Sequence, residues 1–414
     1  MQNNYKPLGD FIQPIKVKNS DLSAKELLGI NVDKFFMPSV ANIVGTDLSN
    51  YKVVNKNQFA CNRMHVGRDY RIPIALSDRE EPFMVSPAYD VFEIIDTSIL
   101  HPDYLMMWFS RKEYDRNAWF YTDADVRGGL AWEAFCNMKF PLPSPEKQRE
   151  IVAEYTTVNN RIELNNKLIQ KLEETAQAIY KQWFVDFEFP DENGNPYKSS
   201  GGAMAYNEEL DKEIPEGWKV RTLKTICEKI GSGSTPTGGK GSYLDSGISL
   251  IRSTNVFDYN FSFEDLAFIN DVQADKLKNV AVKEGDILFN ITGVSVARCC
   301  TVPNNVLPAR VNQHVMIIRP YQALKITFYL LLNLCSTNSK NELLGLSQSG
   351  STREAITKSE IENFEILIPC STVLERFDDL MMKIFNQKKI ESHENQKLSE
   401  LKNLLLSKLA TIKN

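Results

Sequence analysis

The sequence predicts a mixed α/β protein. It comprises two globular α/β domains, each followed by one long helix, with the two helices paired as an antiparallel coiled coil in a pseudo-two-fold tandem repeat. Three observations predict this. First, "NMKFPLPSPEKQREIVAEYTTVNNRIELNNKLIQKLEE", from Asn137 to Glu174, reads as a short strand closed by prolines and then a very long amphipathic helix. Second, "NFEILIPCSTVLERFDDLMMKIFNQKKIESHENQKLSE", from Asn363, repeats that layout near the C-terminus, with Pro143 and Pro369 lying 226 positions apart. Third, the shift stays between 225 and 228 along the chain, which points to a tandem duplication.

The first globular region, 1–145, carries "VVNKNQFACN" (Val53 to Asn62), a polar turn leading into an apolar strand that ends on Asn. Its partner in the repeat is "AVKEGDILFN" (Ala281 to Asn290). "HPDYLMMWF" (His101 to Phe109) aligns with "ITFYLLLNL" (Ile326 to Leu334), each the start of an apolar helix, and Arg127 falls on Arg353. Next comes the first long helix, 146–186, then a linker, 187–217, rich in Gly, Pro, Ser and acidic residues. The second globular region, 218–370, alternates strand-like runs such as "GISLIRSTNV", "GDILFNIT" and "HVMIIRP" with turn residues. The C-terminal long helix occupies 371–414.

Both helices carry a heptad-like apolar seam. In the first it runs through Ile151, Tyr155, Val158, Ile162, Leu172 and Ile179, interrupted by Asn165. In the second it runs through Phe377, Met381, Ile384, Leu398 and Leu405, with Lys388, Glu391 and Asn395 in the middle. At ~1.5 Å per residue, a helix of about 38 residues spans roughly 57 Å, too long to be covered by its own domain. Each helix is therefore expected to pack on the other, and the polar middle to set their register.

Composition narrows the functional classes. Apolar content of 43% and charged content of 24% are ordinary for a globular protein. No apolar run approaches the ~20 residues that span a bilayer, and "MQNNYKPLGDF" lacks a signal-peptide layout, so a cytoplasmic protein with no membrane contact is expected. Seven scattered cysteines and four dispersed histidines give neither a disulfide frame nor zinc spacing, so no metal is predicted. The net charge of −5 leaves room for local basic stripes of the kind that contact phosphate. Catalytic motifs are missing. "GSGSTPTGGKG" (Gly231 to Gly241) fails as a phosphate loop, with Ser234 at the required first glycine and Gly241 after the lysine. No dinucleotide fingerprint or methyltransferase tetrapeptide occurs, and Glu400 with Lys402 stands alone on the C-terminal helix.

This layout resembles the specificity (S) subunit of Type I restriction-modification systems, over the whole chain. "WFVDFEFPDENGNPYKSSGGAMAYNEELDKEIPEGW" (Trp183 to Trp218) looks like the family's junction between central helix and second recognition domain. "IGSGSTPTGGKGSYLDSGISLIRSTNV" looks like the opening of a recognition domain, "PLPSPEKQREIV" is similar to the start of the conserved helix, and "FMVSPAYDVFEI" resembles a Ser-Pro-x-Tyr strand. "IPCSTVLERF" lacks the Pro-Glu-x-Gln opening, which marks the second helix as the more diverged copy.

The resemblance implies a subunit without catalysis or cofactor of its own, each domain reading one half of a bipartite site in double-stranded DNA. The helices would set the spacer and dock modification (methyltransferase) subunits carrying S-adenosylmethionine. Restriction subunits, ATP-dependent translocase and nuclease, would bring ATP and Mg. Base edges are read by Arg, Asn, Gln, Ser or Thr on loops. The candidates are Asn62, Arg63, His65, Arg68 and Arg71 in the first domain. In the second they are Ser234, Thr235, Lys240, Ser242, Arg252, Ser253, Asn290, Thr292 and Arg298. Asn62 and Asn290 share a repeat position, which favours a structural turn over sequence readout. The alternative is a stand-alone coiled-coil DNA-binding regulator.

Overall fold

The structure, a computed structural model, describes residues 5–40, 45–64, 66–122, 128–236, 238–348 and 354–412. The Arg127–Arg353 correspondence lies outside them. The chain divides into two compact units, one of Met1–Asn165 with His393–Asn414 and the other of Asn166–Ser392.

In the first unit the strands of the central sheet and the first strand of its clasp are β1 (Tyr5–Pro7), β2 (Ile12–Ile15), β3 (Phe59–Cys61), β4 (Ile74–Leu76) and β5 (Asp90–Ile94). Then follow α1 (Pro102–Phe109), α2 (Lys112–Phe120), α3 (Trp132–Asn137), β6 (Lys139–Pro141) and the long helix α4 (Pro145–Tyr180). The central sheet is antiparallel in the order β2-β5-β3-β4. Phe59 and Phe92 stack on its inner face, with centroids 5.0 Å apart, and Phe109 and Phe135 close over them. α1 starts where it does because the His101 side chain accepts the Asp103 amide and Pro102 stands at the first turn. β1 pairs antiparallel with β6, so the module's first strand is clasped to the strand that leads into α4.

Gln148 locks that exit. It is fully buried; its Nε2 donates to the carbonyls of Ile99 (2.8 Å) and Pro143 (2.9 Å), and its Oε1 accepts from the His101 amide (2.8 Å). Ile151, Val152 and Tyr155 of α4 then lie against the domain core. The C-terminal end of the last helix completes that core through Leu406 and Leu409, and the Tyr5 hydroxyl donates to the Ala410 carbonyl at 3.0 Å. Within this unit the two helices run antiparallel. Lys402 lies over the Tyr155 ring, while further along α4 Arg161 pairs with Glu394 at 2.9 Å and buried Asn165 donates to the same carboxylate at 3.0 Å.

The second unit repeats the topology. The strands that repeat it are β7 (Lys219–Thr222), β8 (Cys227–Ser232), β9 (Ile287–Asn290), β10 (Cys299–Thr301) and β11 (Val315–Pro320), beside a separate three-stranded sheet of Ile248–Ile251, Ala267–Ile269 and Ala309–Val311. They are followed by α5 (Thr327–Cys335), α6 (Thr337–Gln348), α7 (Lys358–Asn363), β12 (Glu365–Ile368) and the long helix α8 (Ser371–Lys408). The antiparallel sheet has the order β8-β11-β9-β10, and β7 clasps β12 as β1 clasps β6. Asp286 and Arg319 form a buried two-point pair (2.6 and 2.8 Å) that ties β11 to the turn before β9.

Here the far end of α4 completes the core. Tyr180, Trp183 and Phe184 pack with Phe377, Tyr329 and Trp218, and Asn333 donates to the Tyr180 hydroxyl at 2.9 Å. The last turn of the helix, Lys181–Val185, is π-helical, and both Trp183 and Phe184 are buried there. Lower on the seam, buried Lys388 pairs with Glu173 at 2.7 Å and also donates to the Tyr259 carbonyl, while Asn260 donates to Glu173 at 2.9 Å. Burial pushes the Lys388 ammonium below its usual range, and Glu173 partly offsets this. The predicted linker is packed, not a loose tether: Phe189 stacks between Tyr197 (4.4 Å) and Trp218 (5.3 Å), and Met204–Asn207 forms a hairpin with Lys212–Pro215.

Two outcomes are expected. Leu409→Ala removes a fully buried side chain from the first unit and should cost about 2–5 kcal/mol there. Followed by calorimetry or hydrogen exchange, the loss should concentrate in Met1–Asn165; uniform loss across both units would contradict the partition. The second concerns Asp378, near the start of α8, whose carboxyl burial and the neighbouring Asp379 raise to about 6. A raised pKa means the folded state holds the proton more tightly, so this stabilisation is full below pH ~4 and lost as pH rises through about 6. Asp378→Asn should therefore raise the melting temperature at pH 7.5 and leave it unchanged near pH 4.

Candidate nucleic-acid interface

The antiparallel register places corresponding loops at one end of each sheet. In the second unit Ser232 lies opposite Met316, Asn290 opposite Val315 and Phe289 opposite Cys299. The loop after β8, the connection from β9 to β10 and the segment before β11 therefore converge. Ser234, Thr235, Thr292 and Arg298 lie on this rim. In the first unit Cys61 faces both Ile74 and Asp90, so the β3–β4 connection carrying Asn62, Arg63, Arg68 and Arg71 occupies the equivalent end.

Individual residues then separate by what they touch. Asn290 is fully buried and donates to the carbonyls of Ser253 (3.0 Å) and Val256 (3.3 Å). Asn62 accepts the Met64 amide with its own side chain (3.1 Å) in a local turn. Both members of the repeat position hold backbone. Arg63 is likewise engaged: it pairs with Asp90 at 2.7 Å, donates to the Leu130 carbonyl and lies over Trp132. Its role here is to fix the loop against the start of β5.

Arg68 and Arg71 are exposed and pair with the half-exposed Asp69 (2.6 Å) and the exposed Asp33 (2.8 Å), respectively. Such pairs contribute about 0–1 kcal/mol and exchange readily for phosphate. Arg252 donates to the Asp265 carbonyl and stacks on Tyr243, Ser253 offers its carbonyl to Asn290, and Ser242 donates to the Gly239 carbonyl at 2.8 Å. Arg298 lies over the Phe257 ring at 5.3 Å, half-buried. Ser234 and Thr235 are exposed. His65 and the side chain of Lys240 lie outside the described residues.

The rim also contains a triplet that the sequence reading passed over, Asn312-Gln313-His314. The Asn312 side chain accepts the His314 amide (3.0 Å), and the His314 ring bridges Thr292 Oγ1 (2.7 Å) and Gln313 Nε2 (2.7 Å). Gln313 Oε1 is buried and has no hydrogen-bond partner among the described residues. The signal available in sequence was a polar triplet immediately before the apolar run "VMII". Gly233 explains how the loop closes on it: a Cβ there would sit 1.7 Å from the Val311 carbonyl oxygen, and its amide donates to Asn312 at 3.0 Å. Among the described residues no cluster of metal-ligating side chains occurs, and no helix is long and apolar enough to cross a membrane.

The geometry defines a class: a tandem of two alike sheet domains, each ending in polar loops and each built onto paired long helices. Residues 215–403 match the family described as Type I restriction modification DNA specificity domain. The chain is 28% identical to the MjaIX specificity subunit of Methanocaldococcus jannaschii over 69% of its length and 64% of that protein's. It is 21% identical to the HindI specificity subunit of Haemophilus influenzae over 91% of both chains. The crystal structure of the Type I S subunit from M. genitalium matches all of this chain and 99% of its own at a TM-score of 0.56 and 12% identity, a likeness of fold. The chain is thus similar to specificity subunits of Type I restriction-modification systems, and its residues 215–403 match their specificity domain.

The separation of roles is testable. Asn290→Ala strips two buried carbonyls of their donor and should cost about 1–3 kcal/mol of stability. Thermal unfolding of Asn290→Ala beside Arg298→Ala checks this: a large drop only for Asn290 is expected, and equal drops would make Arg298 structural as well.

Proposed function

We propose that this chain is the non-catalytic DNA-reading subunit of its system, each sheet domain reading one half of a bipartite site. The observation that carries the reading is the repetition: one sheet topology, twice, presenting polar loops at the same sheet end on paired helices. Two readers attached to rigid helices suit two half-sites separated by about one DNA turn, ~34 Å. Modification subunits that dock on the helices would supply S-adenosylmethionine and the methyl transfer, and restriction subunits ATP and Mg. In the second domain Ser234, Thr235, Arg298 and Gln313 are the readers, with His314, Thr292 and Asn290 holding them in place. In the first, Arg68 and Arg71 supply charge to the phosphates.

The test uses the complex with its modification subunits and sequencing of the methylated motif. Arg298→Ala should relax or weaken recognition at one half-site only, by ~1–3 kcal/mol if the side chain is bidentate to a base. Arg71→Ala should weaken binding evenly across sequences and flatten its salt dependence. An equal loss on all DNA for Arg298→Ala would move that residue to the phosphate class. Tight sequence-specific binding by the chain alone, with no gain from modification subunits, would favour a stand-alone regulator instead.

A further inference from the structure

Two aromatic side chains of the first unit stand in solvent at the sheet end assigned to DNA. Tyr70 is 62% exposed and Trp119 44%, and their rings pack on each other with centroids 5.3 Å apart. Single exposed apolar residues are ordinary, whereas two large rings joined at the surface form a patch. Tyr70 belongs to the β3–β4 connection, two residues after Arg68 and directly before Arg71, both exposed. Arg116, also exposed, stands one turn before Trp119 on α2.

The backbone sets Tyr70 apart. Its φ is +56°, in the left-handed region, where a bulky side chain is an outlier and glycine or asparagine the usual occupant. Such a conformation persists only where the surroundings impose it. On one side the Gly67 amide donates to the Gly128 carbonyl at 2.8 Å, in an approach so close that a Cβ on Gly67 would lie 2.7 Å from the Gly128 Cα. On the other the Ile72 amide donates to the buried Asp115 carboxylate at 3.1 Å, which also accepts from Lys34 at 2.7 Å. Asp115 and Trp119 are four residues apart on α2 and so share a face of that helix. One helix face thus anchors the loop and backs the ring that the loop carries. A turn alone would be served better by glycine; the tyrosine is held out at a fixed place despite the strain.

Rings set among arginines match nucleic acid, because arginine meets phosphate and a ring meets the face of a base. The outside of a duplex shows only phosphates and base edges, so a base face is reached where a step is opened. We propose that Tyr70, backed by Trp119, enters an opened base step in the half-site of the first domain and stacks on the base exposed there, with Arg68 and Arg71 on the flanking phosphates. The inference rests on the DNA reading proposed above and adds a residue that senses how easily DNA deforms. The step it enters is accordingly a pyrimidine–purine step, the kind most readily unstacked.

The test uses the full chain in complex with its modification subunits and duplexes carrying the motif found by methylation sequencing. Tyr70→Ala should weaken binding about tenfold or more, and Tyr70→Phe, which keeps the ring, should bind as the wild type does. Because no phosphate contact is lost, the salt dependence of Tyr70→Ala should equal that of the wild type, unlike that of Arg71→Ala. With 5-iodouracil or 5-iodocytosine replacing each pyrimidine in turn, irradiation should join Tyr70 to one position of the first half-site. Wild-type affinity in Tyr70→Ala, a flattened salt dependence in that variant, or a crosslink of Tyr70 only to the second half-site overturns the proposal. Failure of Tyr70→Ala to assemble with modification subunits in the absence of DNA also overturns it, by making the pair a protein-docking surface. The DNA reading survives any of these results if Arg298→Ala still relaxes one half-site, whereas a wild-type complex with no sequence preference removes both.

Discussion

The structure depends on one exchange: each domain core is finished by the far end of the helix that begins at the other domain. Leu406 of α8 and Leu409 just beyond it enter the core built on Phe59, Phe92 and Phe140, while Tyr180 of α4 and Trp183 in the turn that follows enter the core built on Tyr329 and Phe377. At the 226-position repeat shift Tyr180 corresponds to Leu406 and Trp183 to Leu409. The duplicated sequence therefore performs the same act twice, and neither sheet domain has a complete core without both helices. Apolar burial of this kind contributes roughly 1.5–3 kcal/mol per large side chain, which is enough to fix where each helix ends.

Between those ends the seam is polar, and the partners found there explain why. Asn165 and Arg161 meet Glu394 in the first unit, and Lys388 meets Glu173 in the second. The Arg161–Glu394 pair is exposed and contributes about 0–1 kcal/mol; the Lys388–Glu173 pair is buried, and removing one partner there leaves an uncompensated charge that costs about 3–5 kcal/mol. Such contacts discriminate among registers more than they strengthen the right one. Lys388 does a second task, because its ammonium also holds the Tyr259 carbonyl, and Asn260 holds Glu173. The same pair that sets helix register thus pins the Asp258–Asn260 turn of the recognition domain to the helices.

The large organisation was legible in the sequence because it rests on periodicity and duplication. Every seam position from Ile151 to Trp183 that steps by three and four is buried or half-buried, as are those from Phe377 to Leu409. The repeat blocks fall on matching strands and helices. What the sequence did not show was which domain each helix end serves, since an apolar residue in a heptad does not name its partner. The diverged opening of the second helix also finds its physical meaning only in the fold: Gln148 ties three backbone groups together, and its counterpart at the repeat shift, Leu374, is simply buried in the core. A polar clasp in one module has become an apolar one in the other.

The recognition residues were less legible, for a reason rooted in the same chemistry. Arg, Asn and Ser at a sheet end can hold a loop or read a base, and the residue type is identical in both cases. Arg63 and Asn290 proved to be bonded inward, while Gln313 and His314 emerged only once the register of β11 against β8 and β9 was known. The two groups are complementary. Asn290 holds the Ser253 and Val256 carbonyls and Asn312 the His314 amide, which fixes the segments that flank Arg298 and Gln313. Because the anchoring side chains sit at the strand ends and the candidate readers lie beyond them, the loop residues can vary while the fold that carries them stays constant.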